Sequence, residues 1–150
     1  MPIAQQLTED MKTAMKAKDS VTLNVVRGLK SAIKYAAIEK HGADGELDDT
    51  DAVTVVRKEL KKRQDSVASF EAGGRPDLAE TEKAEIAVLE KYLPPAMSTG
   101  EMEKLVNSVI LELNATSKKD MGAVMKLLGE RAAGRADNRA LSTEVAKRLQ

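Results

Sequence analysis

The sequence predicts an all-α fold, and three observations carry that reading. Apolar residues recur at helical spacing almost throughout, and no stretch alternates convincingly as a strand would. Only Tyr35, Phe70 and Tyr92 are aromatic, few for a sheet-rich core. Pro94 and Pro95 interrupt the pattern, because neither continues a helix and each pushes the preceding residue out of helical geometry. The expected architecture is an N-terminal bundle of about four helices over 1–93, a proline-containing linker at 94–97, and a small three-helix domain over 98–150.

The first helix is expected from about Ile3 to Ala17, with Ile3, Leu7, Met11 and Ala14 or Met15 on one face. Asp19 or Ser20 caps the second, whose inward residues are Val21, Val25, Leu29, Ile33 and Ala36 or Ala37. "HGADGELDD" then reads as a loop. Asp48 or Asp49 caps a third helix carrying Val53, Val56, Leu60, Val67 and Phe70, stopped by Gly73 and Gly74. A fourth begins near Pro76 and Asp77, with Ile86, Leu89 and Leu93 inward, and ends at "YLPPAMSTG". Ser98 and Glu101 have the spacing of a capping box for a fifth helix, which turns Met102, Leu105 or Val106, Val109 and Leu113 inward. "NATSKKD" opens a sixth with Met121, Val124, Met125 and Leu128, and "AAGRAD" separates it from a seventh with Leu141, Val145 and Leu149. Helices this short bury little alone, so the last three must pack on one another.

Apolar residues make up 42% and charged residues 32% of the 150, a composition too apolar for general disorder. The longest uncharged stretch, Tyr92 to Gly100, is too short for a membrane span, and Glu9 and Asp10 interrupt any secretory apolar region near the start. Without cysteine there is no disulfide framework, thiolate nucleophile or zinc thiolate site. These features lead us to expect a cytoplasmic protein. Net charge is zero but unevenly spread: 16 Lys and Arg against 20 Asp and Glu up to Ser117, then 8 against 4 from Lys118. That basic excess suggests a polyanionic partner for the C-terminal lobe.

The inventory for catalysis is poor. His41 is the only histidine and falls in the glycine- and acid-rich loop, where a solvated role is expected; metal binding with Asp44, Glu46 or Asp48 matches no known cage. There is no phosphate-binding glycine loop, dinucleotide fingerprint or nucleophile elbow. Neither a catalytic residue nor a metal or organic cofactor is expected.

The basic residues say more. "RKELKKR" places Arg57 with Lys61 and Lys58 with Lys62 at i,i+4, a repulsion of roughly 0.2–0.5 kcal/mol per pair on an isolated helix. A solvated face, helped by Glu59 and Asp65, or a secondary binding face accounts for it. Near the end, Lys118 and Lys119 occupy the first turn of the sixth helix if Ser117 caps it with Asp120 as its partner, or lie just outside if Asp120 is itself the cap, and Arg135 and Arg139 flank the start of the seventh around Asp137. Cations there cost roughly 0.3–1 kcal/mol each against the helix dipole, while the free N–H groups of a helix start suit a phosphate. Gly134 permits a sharp turn, unless it is simply a C-cap, and Arg135 has Asp137 or Glu130 as internal alternatives. The two helix starts together are expected to clamp a phosphate backbone. Scarce aromatics favour a structured RNA read by shape over a single strand gripped by stacking.

Four stretches also resemble the YqeY family, known as GatB/YqeY, in the family's order: "LTEDMKTAMKAKDSVTLNVVRGLKSAI", "RKELKKRQDS", "EIAVLEKYLP", and "KDMGAVMK" with "AGRAD". The resemblance implies an N-terminal helical part joined to a small helical domain similar to the tail of the B subunit of the tRNA-dependent amidotransferase. That tail contacts tRNA, while the chemistry lies elsewhere in the enzyme. A related module is appended to some glutaminyl-tRNA synthetases. Carried over by residue, the implied RNA-facing elements are Lys119, Gly122, Gly134, Arg135 and Asp137. Asn138 and Arg139 stand where the family usually has Gly then Lys, and Ala123 where lysine is common, with Lys126 supplying a charge one turn later.

The expected function is a non-catalytic accessory protein that binds tRNA or assists a tRNA-handling enzyme. The family's association with carbon–nitrogen ligase activity, glutamine being the amido donor, then belongs to the larger amidotransferase. The other reading is a module whose basic lobe docks on an acidic protein surface. The expected nucleic-acid contacts are Lys118, Lys119, Gly122, Lys126, Gly134, Arg135, Asp137 and Arg139, with Arg57, Lys58, Lys61 and Lys62 as a secondary basic face.

Overall fold

The computed structural model describes residues 1–149, and among them every regular element is a helix. Seven α-helices and one 3₁₀ turn divide between two compact units, Met1–Leu93 and Pro94–Gln150.

The first unit holds α1 (Ile3–Ala17), α2 (Ser20–His41), α3 (Asp49–Ala72) and α4 (Pro76–Glu90). Carboxylates cap two of its four helix starts. Asp19 caps α2 by accepting from the Thr22 amide at 3.1 Å, and Asp48 caps α3 by accepting from the Asp51 amide at 2.8 Å. α1 follows Pro2 and has no cap of its own; its Ile3 amide donates instead to Asp49 Oδ1 at 3.2 Å, 46 residues along the chain. Between α1 and α2 the chain reverses through Lys18 in the left-handed region, with the Asp19 amide returning to the Ala14 carbonyl at 3.0 Å. The core joins Leu7, Val25, Val26, Leu29, Val56, Val88 and Leu89, each essentially buried, and each such leucine contributes roughly 1.5–3 kcal/mol. Tyr92 lies beneath the end of α4 and donates its hydroxyl to Asp10 of α1. Burial, reinforced by that carboxylate, pushes the Tyr92 phenol well above its ordinary pKa.

The second unit holds α5 (Thr99–Leu113), a 3₁₀ turn (Lys118–Asp120), α6 (Met121–Ala132) and α7 (Asn138–Arg148). Val106, Val109, Val124, Leu128, Leu141 and Val145 meet with no exposed surface, so the three short helices share one apolar centre. This mutual burial supplies what helices of 11 to 15 residues lack alone.

Several local expectations need correction. Val21 and Leu113 are exposed. Val21 sits four residues before Val25, where each i,i+4 step rotates about 40° off the inward stripe. Leu113 is followed by a left-handed turn at Asn114 that carries Ala115 into the core. His41 closes α2 instead of lying in the loop, placing an imidazole and Lys40 at the helix end, where the dipole favours cations.

Gly28 stands in the middle of α2 on its exposed side, and a Cβ built there meets nothing within 4 Å. Glycine in a helix interior costs roughly 1 kcal/mol relative to alanine, and nothing within the chain requires it here. Gly28→Ala is therefore expected to raise the unfolding free energy by roughly 0.5–1 kcal/mol in urea denaturation; a loss of stability would contradict this placement.

Candidate nucleic-acid interface

The expected contact residues in the second unit lie before and along α6 and around the turn into α7. At the start of α6, the Asp120 carboxylate folds back to accept from the Thr116 amide at 2.9 Å and the Ser117 amide at 3.3 Å, the acidic half of a capping box. Those two amides, Thr116 first, hold the Asp120 carboxyl below the usual aspartate range against the opposing effect of burial. Lys118 and Lys119 sit in the 3₁₀ turn ahead of α6, outside its first α-helical turn, and both are exposed. Gly122 and Lys126 follow on the exposed side of α6, opposite Val124, Leu128 and Ala132. Asp120 is the only acid between Glu112 and Glu130. With that carboxylate spent on backbone amides, Lys118, Lys119 and Lys126 have no hydrogen-bond or ion-pair partner among the described residues.

At the other end, Ala133 and Gly134 both take positive φ, 49° and 78°, and Asp137 caps α7 by accepting from the Arg139 amide at 3.1 Å. Arg139 is exposed in the first turn of α7, and its guanidinium has no partner among the described residues. Arg135 differs. Its Nε donates to the Pro95 carbonyl at 3.0 Å and a terminal nitrogen to Glu101 at 3.0 Å, while the Met97 amide donates to the Arg135 carbonyl at 2.9 Å. The internal partner is neither Asp137 nor Glu130. Glu101 thereby leaves the expected Ser98 box half made: Ser98 accepts from the Glu101 amide at 3.1 Å, and the Glu101 carboxylate turns to Arg135.

Arg135, one of the expected clamp residues, is thus engaged within the unit, and the 12 residues of α6, about 18 Å of helix, and the connection 133–137 lie between the two helix starts along the chain. Arg135 is a staple between the lead into α5 and the α6–α7 turn. The cationic side chains that remain outward are Lys118 and Lys119 at the start of α6, Lys126 midway along it, Arg139 in the first turn of α7, and Lys104 on α5.

The "RKELKKR" segment is not a continuous cationic face. Lys62 pairs with Glu59 at 3.2 Å, Lys61 approaches Asp65 at 4.0 Å, and Arg57 is half-buried, leaving Lys58 exposed without a partner among the described residues. Arg63 bridges Glu59 and Glu85, tying α3 to α4 at 3.2 and 3.0 Å. The balance was written into the helix: every i,i+4 repulsion has an acid within one turn.

A cleft of about 260 Å³ in the first unit is lined by Asp10, Thr13, Asp19, Thr22, Lys91 and Tyr92. Its carboxylates are engaged, Asp10 by the Tyr92 hydroxyl and Asp19 by Thr22, whose hydroxyl and amide hold the Asp19 carboxyl below its usual range. Among the described residues no group of three or more His, Asp or Glu side chains could hold a metal, and no helix is long and apolar enough to cross a membrane.

Comparison with known proteins places the chain. The family model described as Yqey-like protein matches residues 4–149. A protein named altered inheritance of mitochondria protein 41, mitochondrial, from Lachancea thermotolerans is 34% identical over 74% of this chain and 59% of its own length. The protein of the same name from Kluyveromyces lactis is 36% identical over 71% of this chain and 58% of its own length. That from Pyrenophora tritici-repentis is 29% identical over 99% of this chain and 79% of its own length. The chain thus spans about three fifths of the first two relatives. Their names correct the expectation of a cytoplasmic protein, pointing to mitochondria. Missing cysteines and early charges describe how a chain folds, and they carry no address.

Two outcomes test this geometry. Arg135→Ala is expected to lower the unfolding free energy by roughly 0.5–1.5 kcal/mol, read in urea denaturation, because a carbonyl and a carboxylate lose their donor. Asp120 has a depressed folded pKa, so its contribution is complete above the unfolded value, about pH 4, and fades as pH falls through the folded one. Asp120→Asn should therefore flatten the decline of Tm below about pH 4; an unchanged decline would show that the cap does not titrate with folding.

Proposed function

The chain belongs to the YqeY family, and from that premise we propose that it is a tRNA-binding accessory protein of a tRNA-dependent amidation or aminoacylation system. The observation that carries this reading is the uncompensated charge at the start of α6. The acid nearest that start, Asp120, is held by the Thr116 and Ser117 amides, which leaves Lys118 and Lys119 exposed beside it, while Lys126 is exposed midway along the helix, one turn before Glu130. An anion is the ligand such an arrangement stabilises, and cations spread along one helix suit successive phosphates better than a single small ion. Arg139, in the first turn of α7, extends the footprint along a backbone. A structured RNA meets these requirements, since the second unit has no aromatic residue on which to stack an unpaired base. In this reading Arg135 supports the loop and the lysines make the contacts.

The test is tRNA binding by the purified chain across a salt series. Lys118→Glu with Lys119→Glu is expected to weaken binding at least tenfold and to lower the salt slope by about two, with helicity unchanged by circular dichroism. Binding that the double variant leaves intact would overturn the assignment, as would no binding of tRNA by the unaltered chain at low salt.

A further inference from the structure

On the first unit, α2 presents an outward face that no part of the fold uses. Arg27, Ser31, Lys34, Tyr35 and Ile38 fall at i, i+4, i+7, i+8 and i+11, a single helical face opposite Val26, Leu29 and Ile33, and all five are exposed. Tyr35 is 67% exposed and Ile38 43%. Arg27 and Lys34 make no hydrogen bond or ion pair among the described residues, and the only acid of α2, Glu39, lies at the edge of the face. Gly28 adds an independent observation: it weakens an exposed helix while sparing no contact within the chain, leaving a notch one turn from Ser31 and two turns before Tyr35 at the edge of this face.

We propose that this face docks an amphipathic helix of an acidic partner protein. A side-chain-free notch lets a second backbone approach closely, and Tyr35 with Ile38 supplies an apolar and amphipathic anchor. Arg27 and Lys34 at the margin select carboxylates on the partner. A symmetric pairing of two α2 faces offers the cations Arg27 and Lys34 of each copy only one acid of α2, Glu39, whereas an acidic partner offers more. Nucleic acid leaves Ile38 and the notch unexplained. The inference is independent of the tRNA reading, which concerns the second unit.

The probe is a photoreactive p-benzoyl-phenylalanine placed at position 35 of the full chain in its own cells, with a second placed at Glu80 on α4 as control. The expected result is a nuclease-resistant protein adduct at 35 and none at 80, with the crosslinked peptide mapping to an acidic amphipathic helix. Arg27→Glu with Lys34→Glu, and separately Gly28→Leu, should cut the yield at least fivefold without loss of helicity, while Lys118→Glu with Lys119→Glu should not. No adduct, a nuclease-sensitive adduct, an adduct to a second copy of the chain, or a yield indifferent to the charge reversal would each overturn the proposal.

Discussion

Backbone amides at helix starts compete for the same carboxylates that would otherwise neutralise neighbouring lysines, and this competition shapes the molecule. Asp19, Asp48, Asp120 and Asp137 each accept from main-chain N–H groups near the helix they open. Helix boundaries follow from these bonds, and so does the surface charge. Where a captured carboxylate is the only acid in reach, as Asp120 is, adjacent cations are left facing solvent. A chain of zero net charge thereby acquires a locally basic edge without any excess of basic residues overall.

The same bookkeeping explains why other basic residues make poor candidates. Along α3 the acids Glu59 and Asp65 are not needed for capping, so they pair with Lys62 and Lys61. In the second unit Glu112, Glu101 and Glu144 each take an arginine: Arg131, Arg135 and Arg148. These pairs are at least partly exposed and individually modest in energy. Their consequence lies in removing cations from service, and Arg135 is the clearest case. Its position in "AGRAD" suggests ligand contact, whereas its guanidinium closes a loop on Pro95 and Glu101.

Two kinds of surface thus emerge from one chain, each within its own unit. The α6 edge carries Lys118, Lys119 and Lys126 with Glu130 as its one exposed acid and lacks apolar anchors, as suits phosphates. The α2 face mixes cations with an aromatic, an aliphatic and a glycine notch, as suits a protein helix.

Helix positions were legible in the sequence because they depend on spacing and capping within a few residues. The 3.6-residue periodicity, the aspartates at 19, 48 and 137, the glycines at 73 and 74 and the paired prolines are all local signals, and the all-α class follows from them. The family was legible too, since its motifs are contiguous. What only the tertiary structure decided were partnerships between residues far apart in the chain. Arg135 meets Glu101 across 34 positions and Asp49 serves Ile3 across 46, and no periodicity encodes either. Charges near two helix starts look alike in sequence, but only the fold commits one of them, Arg135, to the distant Pro95 carbonyl and Glu101 carboxylate.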